Sequence, residues 1–150
     1  MPVKFYPNNP VDSLETIILH ENGSPLYGEI EIYRLLWNEL GKSTTEWDVW
    51  HDLKLPEHSD NSNYYKKTSS QIDFLILCKH GLLVLEVKGG PISTRENAFY
   101  YGKHFEDPMK QNPFKQAEGY KYTLKDNILN NLKSCFFCEA VAFPHVDTPF

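Results

Sequence analysis

The stretch Gln71-Ile72-Asp73-Phe74-Leu75-Ile76-Leu77-Cys78-Lys79-His80-Gly81-Leu82-Leu83-Val84-Leu85-Glu86-Val87-Lys88-Gly89-Gly90 decides the fold. Two apolar runs flank a short polar break, a pattern that predicts a β-hairpin. With the turn centred on His80-Gly81, Lys79 faces Leu82, Asp73 faces Lys88 and Leu75 faces Glu86. Opposed residues share a face and every second residue returns to it, so Asp73, Glu86 and Lys88 project together from one side. Ile72, Phe74, Ile76, Leu83, Leu85 and Val87 make an apolar surface on the other side. A one-residue slip would turn Asp73 toward the packing surface, so the hairpin register carries the prediction.

Burying an ionised group without partners costs on the order of several kcal/mol, and a hairpin built only for stability would hold aliphatic residues at Asp73, Glu86 and Lys88. Two carboxylates and a lysine on one patch suit a particular chemistry. Hard cations such as Mg²⁺ or Mn²⁺ prefer carboxylate and carbonyl oxygens and leave room for substrate phosphate. A lysine on the same face can orient an attacking water and offset charge developing on a phosphate. The parts together describe a phosphodiesterase site. The non-catalytic alternative is a buried Asp73–Lys88 ion pair with Glu86 at a solvated strand end.

Two predicted helices flank this hairpin. The first runs over residues 24–40, with Ser24 as N-cap, Pro25 in the first turn and Gly41 at its end. Ile30, Tyr33, Leu36, Trp37 and Leu40 form its apolar stripe, and Glu29 at the edge of that stripe can reach the charged face, whereas Glu31 and Glu39 read as solvated. The second opens at Asn112 as cap and Pro113 as first-turn residue and is expected to reach about Lys133. Its buried face is Phe114, Ala117, Tyr120, Leu124, Ile128 and Leu132, with Lys121 and Lys125 on a solvated side. Gln116 and Tyr120 stand four apart and can face one target.

Gly28-Glu29, Gln71-Ile72-Asp73, Glu86-Val87-Lys88 and Gln116-x-x-x-Tyr120 resemble, in order, the motifs of the nuclease-related domain (NERD) within the PD-(D/E)XK phosphodiesterase superfamily. The last spacing is similar to that of RecB-like nucleases. The resemblance implies metal ligation by Asp73 and Glu86, with the backbone carbonyl of Val87 as a further ligand. It makes Lys88 the catalytic lysine, gives Glu29 a role beside the metal or its water, and has Gln116 and Tyr120 position the phosphate backbone. Residues 89–95 depart from the aromatic and second basic residue that many relatives carry there, and Arg95 is the candidate for the basic position. The implied activity is a Mg²⁺- or Mn²⁺-dependent nuclease acting on nucleic acid, DNA by preference.

Composition sets looser bounds. A chain of 150 residues suits one domain, and neither repeats nor low-complexity tracts occur. No apolar run approaches about 18 residues and no signal pattern opens the chain, so no membrane segment and a cytoplasmic location are expected. Cys78 and Cys138 read as small hydrophobes, and the Cys135/Cys138 spacing lacks the second pair a zinc site needs. The net charge of −5 argues against binding nucleic acid by bulk electrostatics. Acids dominate up to Ser62, while basic residues slightly outnumber them from Asn63 onward. The hairpin and second helix are therefore the better nucleic-acid face, with Lys66, Lys67, Lys110, Lys115, Lys121 and Lys125 as candidate phosphate contacts.

Elsewhere, residues 14–19 form an apolar patch in a leader spanning 1–23, and Trp47, Val49, His51, Leu53 and Leu55 alternate as a half-solvated strand with His51 as a hydrogen-bonded core residue. Residues 56–63 read as a polar loop, 89–108 as a long connection with a strand at 98–101 able to cover substrate, and 135–143 as a buried strand. The expected architecture is α/β: a restriction-endonuclease-like core over residues 24–143, with a mixed sheet of about four or five strands, helix-flanked and centred on the hairpin. Residues 144–150 are expected to begin a linker, and the resemblance implies fusion to a helicase or other DNA-processing or defence module. Two rivals remain at this level: a catalytically inactive nucleic-acid-binding or protein-docking module that keeps the fold, and a hydrolase of small phosphate esters.

Overall fold

The computed structural model describes residues 2–55, 71–127, 135–148 and 150. The expected polar loop at 56–63, Lys66 and Lys67, and the second helix past residue 127 with Ile128 and Leu132 lie outside the described residues. The chain runs through β1 (Val3–Tyr6), a short 3₁₀ helix (Val11–Thr16), α1 (Tyr27–Gly41), β2 (Trp47–Lys54), β3 (Gln71–Cys78), β4 (Gly81–Val87), β5 (Ile92–Arg95), β6 (Ala98–Tyr101), β7 (Asp107–Pro108), α2 (Pro113–Asn127) and β8 (Phe137–Ala142). Five strands form a mixed sheet ordered β1-β2-β3-β4-β8, so the predicted hairpin β3–β4 is central. β2, β3 and β4 are mutually antiparallel, while β1 joins β2 and β8 joins β4 in parallel. With a helix against each face, this is the expected α/β, restriction-endonuclease-like core. No helix among the described residues is long and apolar enough to cross a membrane.

The hairpin turns at Lys79-His80 and not at His80-Gly81: Cys78 pairs with Gly81 and Leu75 with Val84. The expected pairs Asp73–Lys88 and Leu75–Glu86 are therefore displaced by two residues, and the same register carried past Phe74↔Leu85 sets Asp73 opposite Glu86. An even shift moves no side chain to the other face, so the shared face of the acids survives the correction. A two-residue turn matches the right-handed twist of the strands. Gly81 suits it: its φ is 151°, and an added Cβ would come within 2.4 Å of the Phe136 carbonyl oxygen. That oxygen accepts the Leu82 N–H at 2.8 Å where β8 joins the hairpin.

One apolar residue changes sides. Phe74, Ile76, Leu83, Leu85 and Val87 pack with α1 as expected, but Ile72 joins Leu55, Leu75, Leu82, Val84 and Leu124 in the cluster under α2. The ladder between β2 and β3 is interrupted between His51↔Phe74 and Leu53↔Ile72, where Asp52 has a φ of 58°. This left-handed residue breaks the alternation opposite Asp73.

α1 begins at Tyr27 with Leu26 as its cap, and no side chain caps it. Ser24 and Pro25, expected as cap and first turn, instead belong to the approach: the Ser24 carbonyl accepts the His20 N–H and Pro25 bridges to Leu19. The helix buries Ile30, Ile32 and Tyr33, and the Tyr33 hydroxyl ties down the leader by donating to the Pro7 carbonyl at 3.1 Å and accepting the Asn9 N–H at 3.2 Å. The four-residue strand β1, too short to stand out in the sequence, stacks Phe5 on Tyr33 with ring centroids 4.5 Å apart. α2 is capped as expected by Asn112, whose side-chain oxygen accepts the N–H groups of Phe114 and Lys115. Phe114, expected in its buried face, is exposed along one side, because its ring leans on Phe99 and Phe143 and not on the main sheet. The connection 89–108 folds as a second sheet, β5-β6-β7, with β6 where a strand was expected. The expected buried strand 135–143 is a half-buried edge strand, since β8 has a neighbour on one side only.

The tightest junction lies where α1 meets the end of β4. A Cβ at Gly28 would sit 2.7 Å from the Gly89 Cα, and one at Gly89 would sit 3.1 Å from the Gly28 Cα. Gly28→Ala must therefore push the helix start away from the strand, and overpacking of this kind costs roughly 1–3 kcal/mol. Thermal unfolding is expected to register a lower melting temperature for Gly28→Ala and almost none for Gly41→Ala, whose Cβ would meet open space.

Candidate active site

Alternation along β3 and β4 carries Asp73 and Glu86 past the apolar part of the sheet to the end where α1 and α2 both arrive. Glu86 is 3% exposed, the most buried of the described acidic residues. Its Oε1 lies 2.9 Å from Lys88 Nζ, and the lysine also donates to Gln116 Oε1 at 3.1 Å. Gln116 Nε2 in turn donates to the Tyr120 hydroxyl at 2.8 Å. The four-residue spacing on α2 brings Gln116 and Tyr120 together, as expected, and the structure extends the pair into a relay ending on the lysine. Asp73 accepts the Val87 N–H on Oδ2 at 2.8 Å, which ties the first acid to the backbone between the second acid and the lysine. Lys88 pairs with Glu86 and not with Asp73, the partner that the non-catalytic alternative gave it, in keeping with the shifted register.

Glu29 reaches the same place from α1. Its Oε2 lies 2.7 Å from His51 Nε2 on β2, and that imidazole is 8% exposed, held against Phe74 and the edge of Tyr33. His51 is the hydrogen-bonded core histidine the alternation suggested, but its partner is a site residue, which no local signal disclosed. His145 was also missed. Its Nδ1 accepts the Gly90 N–H at 2.6 Å, so Nε2 carries the proton and faces Glu31 Oε1 at 3.0 Å. This bridge clamps the turn after β4 to α1, and it gives Glu31, expected to be merely solvated, a partner. A cleft of about 580 Å³ is lined by Glu29, Asp73, Glu86, Val87, Lys88, the two glycines after it, Tyr101 and His145, among others.

The charges are strained against one another. Burial, then repulsion from Glu86 and Glu29, pushes the Asp73 carboxyl up to about 8. Burial also raises Glu86, with Lys88 opposing the shift. Burial alone would lower Lys88, yet Glu86 outweighs it and holds the ammonium above its ordinary value. With all three acids ionised, one lysine leaves an excess of negative charge, which a proton on Asp73 or a bound cation would offset. No cluster of three or more His, Cys, Asp or Glu with ligand geometry occurs among the described residues. Asp73 and Glu86 line the cleft beside Val87 and Glu29, and oxygen donors of this kind could hold a hard cation that keeps water and phosphate oxygens in its remaining positions.

The other candidates divide. Lys110 joins Lys88, Tyr101, Gln111 and Gln116 around an adjoining cleft of about 360 Å³. Lys115 is exposed on α2, and Arg95 lies 5.7 Å over the Phe105 ring; neither lines these two clefts. Lys121, expected on a solvated side, is paired with Glu139 of β8 at 2.7 Å because α2 packs directly over that strand. Cys78, Cys135 and Cys138 are free thiols.

The raised Asp73 fixes a sign. Between its ordinary value of 3.8 and about 8 the folded chain keeps a proton that the unfolded chain has shed, so this group makes stability fall as pH rises through that window. Asp73→Asn keeps an acceptor for the Val87 N–H and loses the charge. In EDTA its melting temperature is expected to exceed the parent's near pH 8 and to match it near pH 4; an equal difference at both would rule out the electrostatic cause.

The sequence model of the nuclease-related domain family matches residues 24–144, a span that includes Glu29, the hairpin and α2. No curated protein and no solved structure matches the chain.

Proposed function

This chain belongs to the nuclease-related domain family, and on that premise we propose that it is a divalent-metal-dependent nuclease domain that hydrolyses phosphodiester bonds, with DNA as substrate. The observation that carries the proposal is the convergence of Glu29, Asp73, Glu86, Lys88 and Gln116, from four elements of the fold or their ends, on one cleft end of the sheet. A module without catalysis has no physical reason to keep mutually repelling acids there.

Asp73, Glu86 and the Val87 carbonyl would hold Mg²⁺ or Mn²⁺. Such an ion supplies Lewis acidity toward the phosphate and lowers the pKa of water. Lys88, fixed between Glu86 and Gln116, presents an ammonium that can orient the attacking water and stabilise charge growing on the phosphoryl oxygens. Gln116 and Tyr120 act through the lysine by holding its position, and Glu29, anchored by His51, lines the cleft, where it would assist the metal or its water. The Gly28–Gly89 contact keeps Glu29 and Lys88 at a fixed separation, which matters because small misplacements of catalytic groups are costly in rate.

Cleavage of labelled single- and double-stranded DNA in Mg²⁺, Mn²⁺ or EDTA tests the proposal. The parent chain is expected to cut only with metal. Asp73→Ala, Glu86→Ala and Lys88→Ala should each lose about two orders of magnitude or more in rate. Calorimetry should show metal binding lost in the two acid variants and retained in Lys88→Ala. Parent-like cleavage by both acid variants would overturn the assignment of roles.

A further inference from the structure

The catalytic groups account for the phosphate but leave an aromatic side chain beside them without a role. Tyr101 ends β6, is 39% exposed and borders both clefts, as does Lys88. Among the described residues its ring stacks on no other ring and its hydroxyl forms no hydrogen bond, unlike its neighbours: Tyr100 lies against Phe105, and Phe99 against Phe114 and Phe143. Phe99 and Tyr101 are two apart on one strand and so share a face. The aromatic face that anchors the small sheet to α2 and β8 therefore continues, through Tyr101, to the edge of the catalytic cleft.

The position is held firmly. Ile92↔Tyr101 and Tyr101↔Asp107 pair the residue on both sides of β6. The next residue, Gly102, donates its N–H to the Pro91 carbonyl at 2.8 Å and accepts the Ser93 hydroxyl at 2.7 Å. Beyond Tyr101, the second cleft offers the cation of Lys110 and the amide side chains of Gln111 and Gln116. An exposed aromatic ring sharing a cleft with two lysines, here Lys88 and Lys110, suits a single strand, with bases on the ring and phosphates on the cations.

Building on the nuclease reading, we propose that Tyr101 is a stacking platform for the unpaired nucleobase next to the scissile phosphate, and that the strand continues from it into the cleft bearing Lys110. The subsite selects for a base that is already unstacked, hence for single-stranded or frayed nucleic acid. It is indifferent to base identity, because every base offers a π-face.

The probes are a labelled dT12 oligonucleotide and a 12-residue abasic oligomer with the same phosphates and no bases, both titrated by fluorescence anisotropy in Ca²⁺. On dT12, Tyr101→Phe should retain most of the parent affinity, and Tyr101→Ala and Tyr101→Leu should bind about ten-fold more weakly. Leu keeps apolar bulk in β6 and so separates stacking from loss of the hairpin. On the abasic oligomer the parent and both truncated variants should bind alike. Equal losses on the two oligomers, or no loss on dT12, would overturn the platform. Cleavage is followed in parallel: a parent that cuts DNA with Tyr101→Ala unaffected in affinity and KM sinks this inference and leaves the nuclease standing. A parent that binds dT12 through Tyr101 but never cuts with any metal supports the base site and sinks the nuclease.

Discussion

A carboxylate held 3% exposed at the end of a central strand is the constraint to which the rest of the molecule answers. Glu86 cannot be solvated there, so its charge must be met by fixed partners. Lys88 meets it first, at 2.9 Å. The lysine is itself buried enough to need a second acceptor, which Gln116 provides, and Gln116 finds the Tyr120 hydroxyl. Each link satisfies the polar group before it, so the chain of contacts makes the position of α2 a requirement of the β4 sequence. Asp73 adds a second acid that this relay does not neutralise, and under the proposed function a bound cation would relieve the remaining repulsion.

The same end of the sheet is shaped from the opposite layer by α1. Two glycines in van der Waals contact bring the helix start onto the strand exit, and the His145 bridge between the Gly90 N–H and Glu31 closes the junction from outside. That close approach delivers Glu29 to the cleft, while His51 fixes its direction from a third element. The candidate cleft is thus a seam where both helical layers meet the central strands. A site assembled this way depends on backbone distances more than on any one side chain. Close backbone packing leaves the seam little freedom to spread, in keeping with the pre-organisation that phosphoryl chemistry requires.

Much of this was legible in the chain. The central hairpin, the shared face of Asp73, Glu86 and Lys88, the Asn112 cap and the i,i+4 pair Gln116 and Tyr120 follow from strand and helix periodicity, which are local properties of the backbone. The hairpin register was displaced by two residues because the two-residue turn sits one position earlier and leaves Gly81 in the strand against the Phe136 carbonyl, a contact between residues far apart in sequence. Ile72 changed layer because a left-handed Asp52 on a neighbouring strand breaks the alternation. Lys121 was paired with Glu139 because α2 lies over β8, and helical spacing shows which residues are neighbours on one helix but not what lies opposite them.

What the sequence by itself determined, then, was the set of charged groups, the faces they occupy and the family to which their order belongs. The first two rest on the residue types and on the two-residue period of a strand and the 3.6-residue period of a helix, and the third on the resemblance carried by the order of the motifs. The tertiary structure alone decided which groups meet: Glu86 and not Asp73 beside Lys88, His51 behind Glu29, His145 across the Gly90 turn, and Tyr101 at the border of two clefts. Apart from Glu86–Lys88, these pairings join residues well separated in sequence, and they are set by how closely two layers can approach a sheet, a distance that local sequence does not encode.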